Sequence, residues 1–475
     1  MPGLVAGIES SARFTRVLVI DPADGRVVAS TRANHAVRSA ARLREGDIDS
    51  WWQALAEAVQ ETRWAGDIAA VSVAAPQGGL VLLDGLGRAL RPAILGDDRR
   101  AAREATELTK ELGGPAWWAE ATGSVPRAAS PIAIWSWLVR AEPELLGRLR
   151  AVRLPHDVLV ERLTGEGVTD RATASGSGWW SAAGGYIEEV LAHVGLREDI
   201  LPRVLGPRDL AGEITSRAAD DTGLRRGTLV APGTGSPMAE ALALGLDFGT
   251  IAVRIDDDAS VFTVAAEGAS DSSGMSQGLA DATGRFLGTA TTAHAGQAVE
   301  RVADWLRVPV DTVAERTDVT ILPNLDVGGD PWLEGAPAVI AGLRYETSAP
   351  EILLGAYEGV AATLLELIDA ISRQGTRVDA SAPLVLIGAG ARSEVWKRTV
   401  ARLSGRALVI PQATELAALG AAVQAAALLG NESFAAVAKR WETRRGTVVR
   451  AVARDEVAIG RIRAVRGQLR GTGRA

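Results

Sequence analysis

Apolar positions run almost unbroken through LVAGIES (Leu4–Ser10) and again through RVLVI, which is followed by the Asp24-Gly25 turn and VVAS. Short apolar runs flanking Asp-Gly predict strands joined as a hairpin. The period then lengthens. SWWQALAEAVQET carries a helical stripe through Trp52, Leu55, Ala56 and Val59, with Asp49 or Ser50 expected to start the helix. IAAVSVA reads as a buried strand, and GLVLLDGLGRALRPAIL as a second hairpin about Gly85-Leu86-Gly87. The stretch from Ala101 to Leu224 is expected to be mostly helical, with its tryptophan pairs, Trp117-Trp118 and Trp179-Trp180, packed in the core.

The pattern restarts after MAEALALGL. GTIAVRIDDDASVFTVAAEG is strand, acidic turn and strand, as the N-terminus was. YEGVAATLLELIDAISRQ places Val360, Leu364, Leu367, Ile368 and Ile371 on one helical face. PLVLIGAGARSEVWKRTVARLSG is a buried strand, a glycine turn and a helix, and ELAALGAAVQAAALLG is a small-residue helix suited to close packing. Two halves with the same opening predict an α/β duplication with a ligand cleft between them. The expected division is residues 1–245, residues 246–440 and an extension over 441–475 whose basic end, from about Arg461, is expected to fray.

Composition narrows the chemistry. A net charge of −7 and a pI near 5.4 argue against a nucleic-acid or acidic-membrane surface and favour a small-molecule ligand or a protein partner. There is no cysteine, so thiolate catalysis and cysteine-bound metal are excluded. His35, His156, His193 and His294 are scattered and form no metal-binding pair. The first residues, MPGLVAGIESSARF, lack the pattern of an export leader, and no window supplies the ~20 apolar residues of a spanning helix. The expected compartment is the cytoplasm.

VAPGTGSPMAEALALG (Val230–Gly245) reads as a strand end, a glycine turn and a helix start that presents Ser236 to a ligand. GAGARS (Gly388, Ala389, Gly390, Ala391, Arg392, Ser393) is a second glycine turn between strand and helix, where backbone amides can approach a phosphate. With VAAPQGGLVLLDGLGRALRPAILGDDRR, LPHDVLVERLTGEGVTDRATASGSG and YEGVAATLLELIDAI, these phrases occur in an order that resembles the FGGY carbohydrate kinases, xylulokinases most closely, over about residues 4 to 430. The resemblance implies two actin-like (ribonuclease H-like) ATPase domains that hold a sugar and MgATP in the cleft between them. It also implies an aspartate base in the GTGD turn, a glycine/threonine phosphate grip at each domain start, and adenine beside Gly388–Ser393.

Carried over residue by residue, the reactive positions depart from that pattern. Ser236 stands where the base is expected, and a serine hydroxyl with no activating histidine in the motif does not take a proton at neutral pH. Ser236 followed by Pro237 is, by contrast, a favoured helix N-cap and N1 pair. In GIESSARFTR the glycine–threonine pair is lost, and Ser10, Ala12, Arg13 and Phe14 lie in or beside the turn. In IDDDAS the second grip becomes Asp256, Asp257 and Asp258; at 4 Å and an effective dielectric of about 20, each like charge opposes a phosphate by roughly 4 kcal/mol. These aspartates read as a solvated acidic turn, with a bridging magnesium as the alternative.

On the sugar side Asp98 and Arg100 match the family pattern, though they also suit a surface ion pair, and the altered APQGG segment (Ala75 to Gly79) leaves Gln77 as the candidate hydroxyl-binding side chain. Gly78 replaces the usual histidine, and the GERTP phrase is absent from ILPNLDVGGDPWL. Two functions follow. One is a catalytically degenerate homologue that binds sugar or adenine nucleotide, alone, as a homodimer or with an active kinase. The other is an ATP- and Mg2+-dependent pentulose kinase with a relocated base, drawn from Asp97, Asp98 or Glu240.

Overall fold

The computed structural model describes residues 3–40, 43–323, 338–373 and 378–472; ILPNLDVGGDPWL therefore lies, beyond Pro323, outside the described residues. Two large sheets share one plan. In the first, Val27–Asn34, Phe14–Ile20 and Leu4–Ser10 form an antiparallel meander, beside which Ile68–Ala75 and Leu229–Val230 run parallel. In the second, Phe286–Thr292, Ala259–Ala265 and Ile251–Ile255 repeat the meander, and Leu384–Ile387 and Leu408–Pro411 repeat the parallel pair. This is the actin-like duplication. Its central strands are apolar on both sides because both faces are covered: Val5, Ala6 and Ile8 have no exposed surface.

Helices Ser236–Ala243 and Leu416–Gly430 tie the two sheets together. The second is buried at every residue from Leu416 to Ala427, so it shows no polar face. Small residues let it approach closely. A Cβ on Gly420 would stand 1.8 Å from the Ala239 carbonyl, and one on Gly7 the same distance from the Ala418 carbonyl. A single apolar cluster then joins Val5 and Leu18 of one sheet to Phe262 and Val385 of the other through Met238, Leu242 and Val423.

Several local expectations shift. The first long helix is Ile48–Glu61, capped by Asp47, whose carboxylate accepts from the Asp49 amide at 3.0 Å; Asp49 and Ser50 lie inside it. Its buried stripe runs through Ile48, Trp51, Leu55 and Val59, and Trp52 is half-buried with its indole N–H on Asp221 at 2.9 Å. The tryptophan pairs pack as expected: Trp118, Trp179 and Trp180 belong to one core cluster.

The basic tail does not fray over its described length. Gly446–Val449 completes the edge of the second sheet, and Glu456–Thr472 is a helix with Ala458, Ile459 and Ile462 buried. Two of its arginines meet buried or half-buried acids. Arg461 shares the buried Glu358 of helix Ala349–Arg373 with Arg402, and Arg466 pairs with Glu366. A run that reads as like-charged in sequence is thus anchored by acids about a hundred residues away. Among the described residues no helix is long and apolar enough to cross a membrane.

Candidate functional site

Strand register brings the first set of residues together. Ile68–Ala75 pairs on one side with Leu4–Ser10, Glu9 opposite Ala74, and on the other with Thr234–Gly235, which stand opposite Ala74 and Ala75. Glu9, Gln77 and Ser236 thus emerge side by side from the carboxyl ends of parallel strands, the usual place for a ligand in such sheets.

Ser236 is half-buried, and its hydroxyl makes no hydrogen bond among the described residues. It is not the cap predicted for it. Gly235 occupies the N-cap position with extended backbone and no side-chain cap, so Ser236 and Pro237 are the first two helical residues. The cause is local. Gln77 lies under Gly235, where an added Cβ would come within 2.3 Å of its Cγ, so only glycine fits at the cap. Gln77 donates its side-chain N–H to the Ala172 carbonyl at 2.8 Å.

Asp170 braces this turn. It accepts from the amides of Ala172 and Thr173 at 2.9 and 3.2 Å, and from the Thr234 hydroxyl at 3.1 Å. Burial holds its pKa above the usual carboxylate range, only partly offset by His156 and those N–H bonds. The His156 ring lies directly beneath Gly233 (φ +76°), where a Cβ would meet its Nε2 at 2.1 Å. Burial disfavours the charged ring, but the bond to Asp157 and the charge of Asp170 prevail and raise its pKa. The bracing role of His156 and Asp170 was not read from the sequence, although both stand in the LPHD…TD phrase.

Asp98 and Arg100 do pair, but not at the surface: Asp98 is 1% exposed. Arg100 grips it through Nε–Oδ1 and Nη2–Oδ2 contacts of 2.8 and 2.7 Å, and the Arg44 amide adds another at 2.7 Å. Arg100 also reaches Glu45 at 3.0 Å and lies over the Trp137 ring. With its oxygens so engaged, Asp98 is a strut and not a base. Asp97 is exposed and paired with Arg44.

Both phosphate turns are closed on themselves. In the first, the Ser11 hydroxyl oxygen accepts from the amides of Arg13 and Phe14 at 3.2 and 3.1 Å, and the Ser11 amide donates to the Phe14 carbonyl. Ser10 is buried and paired with Thr15, Arg13 is exposed, and Phe14 leaves the turn to begin the next strand with Arg32 over its ring. In the second, Arg254 sits between Asp256 at 3.6 Å and Asp258 at 3.3 Å, so the acidic turn is only partly solvated. Asp257 alone of the three is exposed.

The glycine turn at Gly388–Ser393 meets this hairpin because Arg254 pairs in register with Ile387. The Asp256 carboxylate accepts from the Ala389 amide at 2.8 Å. Gly388 (φ +81°) is required by packing, since a Cβ there would lie 2.6 Å from the Ile255 carbonyl. Ala389–Arg392 is a short 3-10 turn, and Ser393 caps the helix Glu394–Ser404 through the Trp396 amide. The amide expected to meet a nucleotide already holds an anion of the chain's own.

Glu240, one turn into the helix from Ser236, completes the charge cluster. Its carboxyl has no hydrogen bond or ion pair among the described residues, and Oε2 is fully buried. Burial pushes its pKa up to about 7; Arg254 counters this, and Glu9, Asp256 and Asp258 reinforce it. Burial likewise raises Glu9, against the pull of Arg16 at 3.6 Å. Arg254 was missed in sequence; its signal is a lone arginine inside an apolar strand, IAVRI. Magnesium held with a triphosphate needs only one or two protein carboxylates, but Asp256 and Asp258 face Arg254 at 3.6 and 3.3 Å, and Asp256 also accepts from the Ala389 amide. These side chains do not fit magnesium triphosphate as they stand.

The N-terminal domain model of the FGGY family of carbohydrate kinases matches residues 4–255, and its C-terminal domain model residues 300–429. A xylulose kinase of Streptomyces rubiginosus is 47% identical over 464 residues, which cover 97% of this chain and 95% of that one. A xylulose kinase of Escherichia coli K12 is 26% identical over 435 residues, 85% of each chain. The crystal structure of a xylulose kinase from Bifidobacterium adolescentis superposes with a TM-score of 0.84 at 26% identity, covering 98% of this chain and all of that one. That from Rhodospirillum rubrum gives 0.85 at 23%, covering 99% and 98%. The chain belongs to the FGGY family of carbohydrate kinases.

Proposed function

We propose that this xylulokinase-like protein has given up phosphoryl transfer and acts by binding a pentulose or related sugar, in the cytoplasm, as a homodimer or beside an active kinase. The observation that carries this is the Asp256 carboxylate on the Ala389 amide: the place for a nucleotide anion is filled from within. The closed Ser11 turn and the hydroxyl at Ser236 agree with it. The sugar side is better kept. Gln77 is held at the Gly235 turn by Ala172, and Asp170 fixes both elements.

A coupled assay for ADP release over ketoses, aldoses and polyols is expected to show no turnover, while one of those sugars raises the melting temperature. Ser236→Asp alone is expected to leave turnover absent, because both phosphate turns remain closed. Turnover by the native chain would refute the proposal.

One observation favours a second reading, an active kinase with Glu240 as its base. That carboxyl has no partner among the described residues, and a pKa of about 7 suits proton transfer at neutral pH. On that reading the native chain turns over and Glu240→Gln abolishes it.

A further inference from the structure

Helix Ser236–Ala243 has a second working face. Ser236 and Glu240 stand one turn apart toward the cleft. Met238, Ala241 and Leu242, with Gly245 beyond the helix end, recur at helical spacing on the opposite side. That side forms one wall of a cavity of about 960 Å³. Val264 of the second sheet and Phe434 and Ala438 of helix Phe434–Arg440 supply the other apolar walls. Its volume is at the upper end for small-molecule sites, which are apolar with a few polar groups.

The rim decides the ligand class. It carries Arg285, Lys439, Arg444 and Arg445 against Asp247, Asp281 and Glu442. Arg285 pairs with Asp281 at 3.8 Å, Arg444 with Asp247 at 3.8 Å and Arg445 with Glu442 at 3.4 Å. Glu442, in the left-handed region at φ +47°, turns the chain so that Lys439 and Arg444 border the same opening. Lys439 alone has no ion-pair partner among the described residues. The balance is one uncompensated positive charge above an apolar floor.

We infer that this cavity binds an amphipathic monoanion, a carboxylate with an apolar chain or ring, its head on Lys439 and its body against Met238, Leu242, Val264 and Phe434. A cation finds no free acid here, and a neutral alcohol leaves the ammonium without a partner. The site shares no residue with the sugar cleft, so it stands whether or not the chain is a kinase.

The test uses the full chain and the fluorescent monoanion 1-anilinonaphthalene-8-sulfonate as probe, with octanoate, octanol and octylamine as competitors. The probe is expected to bind and octanoate to displace it, with octanol and octylamine weaker by about tenfold or more. Lys439→Glu should weaken octanoate by a similar factor. Ala435→Trp, which lays a ring over the opening from an exposed position, should abolish probe binding at an unchanged melting temperature. Equal displacement by octylamine, octanoate binding indifferent to Lys439→Glu, or no displacement by octanoate would each overturn the inference. Full probe binding in Ala435→Trp would place the probe elsewhere and overturn it too.

Discussion

At Ser236 a hydroxyl begins a helix and donates to no group among the described residues, while four residues on Glu240 holds a carboxyl whose pKa burial raises to about 7. The second group has a measurable consequence. Its folded pKa of about 7 lies above the ordinary carboxylate value of 4.5, so the folded protein binds the proton more tightly than the unfolded chain. Below pH ~4.5 both states are protonated and there is no penalty. As pH rises from there to about 7 the unfolded state gains by ionising, and stability falls by up to roughly 3 kcal/mol. Glu240→Gln removes that slope. Urea unfolding at several pH values between 5 and 8 should show the native chain losing stability relative to the variant; a constant difference would mean that Glu240 is ionised throughout. The sequence reveals which residue types stand at positions 9, 236, 240 and 256. It does not reveal that Asp256 reaches Ala389, because that contact depends on the register of strands more than a hundred residues apart, nor which way the hairpin turn directs Asp256 and Asp258 toward Arg254.

Elements were more legible than caps. The Asp24-Gly25 and Gly85-Leu86-Gly87 hairpins form as their turn chemistry requires, and the stripe from Val360 to Ile371 is buried as its period requires. The first helix, by contrast, starts at Ile48 because Asp47 was the better-placed cap, and the final basic run folds because Glu358 and Glu366 lie opposite it. The first was decided by a cap one residue upstream of the helix, the second by tertiary partners that are invisible locally. The small-residue helix Leu416–Gly430 is the case where pattern and packing agree, and it carries a prediction. With a Cβ due 1.8 Å from the Ala239 carbonyl, Gly420→Ala must push this helix off Ser236–Ala243. Overpacking of this kind costs about 1–3 kcal/mol. Chemical unfolding should report that loss, together with weakened sugar binding at the displaced Gly235–Ser236 turn. Native stability in the variant would mean that the two helices separate without cost.

On the scale of the whole molecule, the departures at Ser11, Ser236 and Asp256 stand in two hairpin turns, one from each large sheet, and at the start of one helix. On the proposed reading each bears on a different requirement for holding or using a triphosphate, so binding measurements can separate them. Asp256 has the most direct effect, since its carboxylate occupies the Ala389 amide and offsets Arg254. Asp256→Gly frees that amide and removes one of the three carboxylates of the turn, which lessens its repulsion of a phosphate and leaves Arg254 less fully offset. The native chain should therefore show no change in melting temperature with MgATP at millimolar concentration. Asp256→Gly should gain a few degrees; a ligand at 100 times its Kd stabilises by about 2.7 kcal/mol. Adenosine, which carries no phosphate, should not distinguish the two proteins, so a difference confined to MgATP assigns the effect to the anion site. Equal stabilisation of native chain and variant by MgATP would show that the Asp256 carboxylate yields its place to phosphate, and the second reading, with Glu240 as base, would then take precedence.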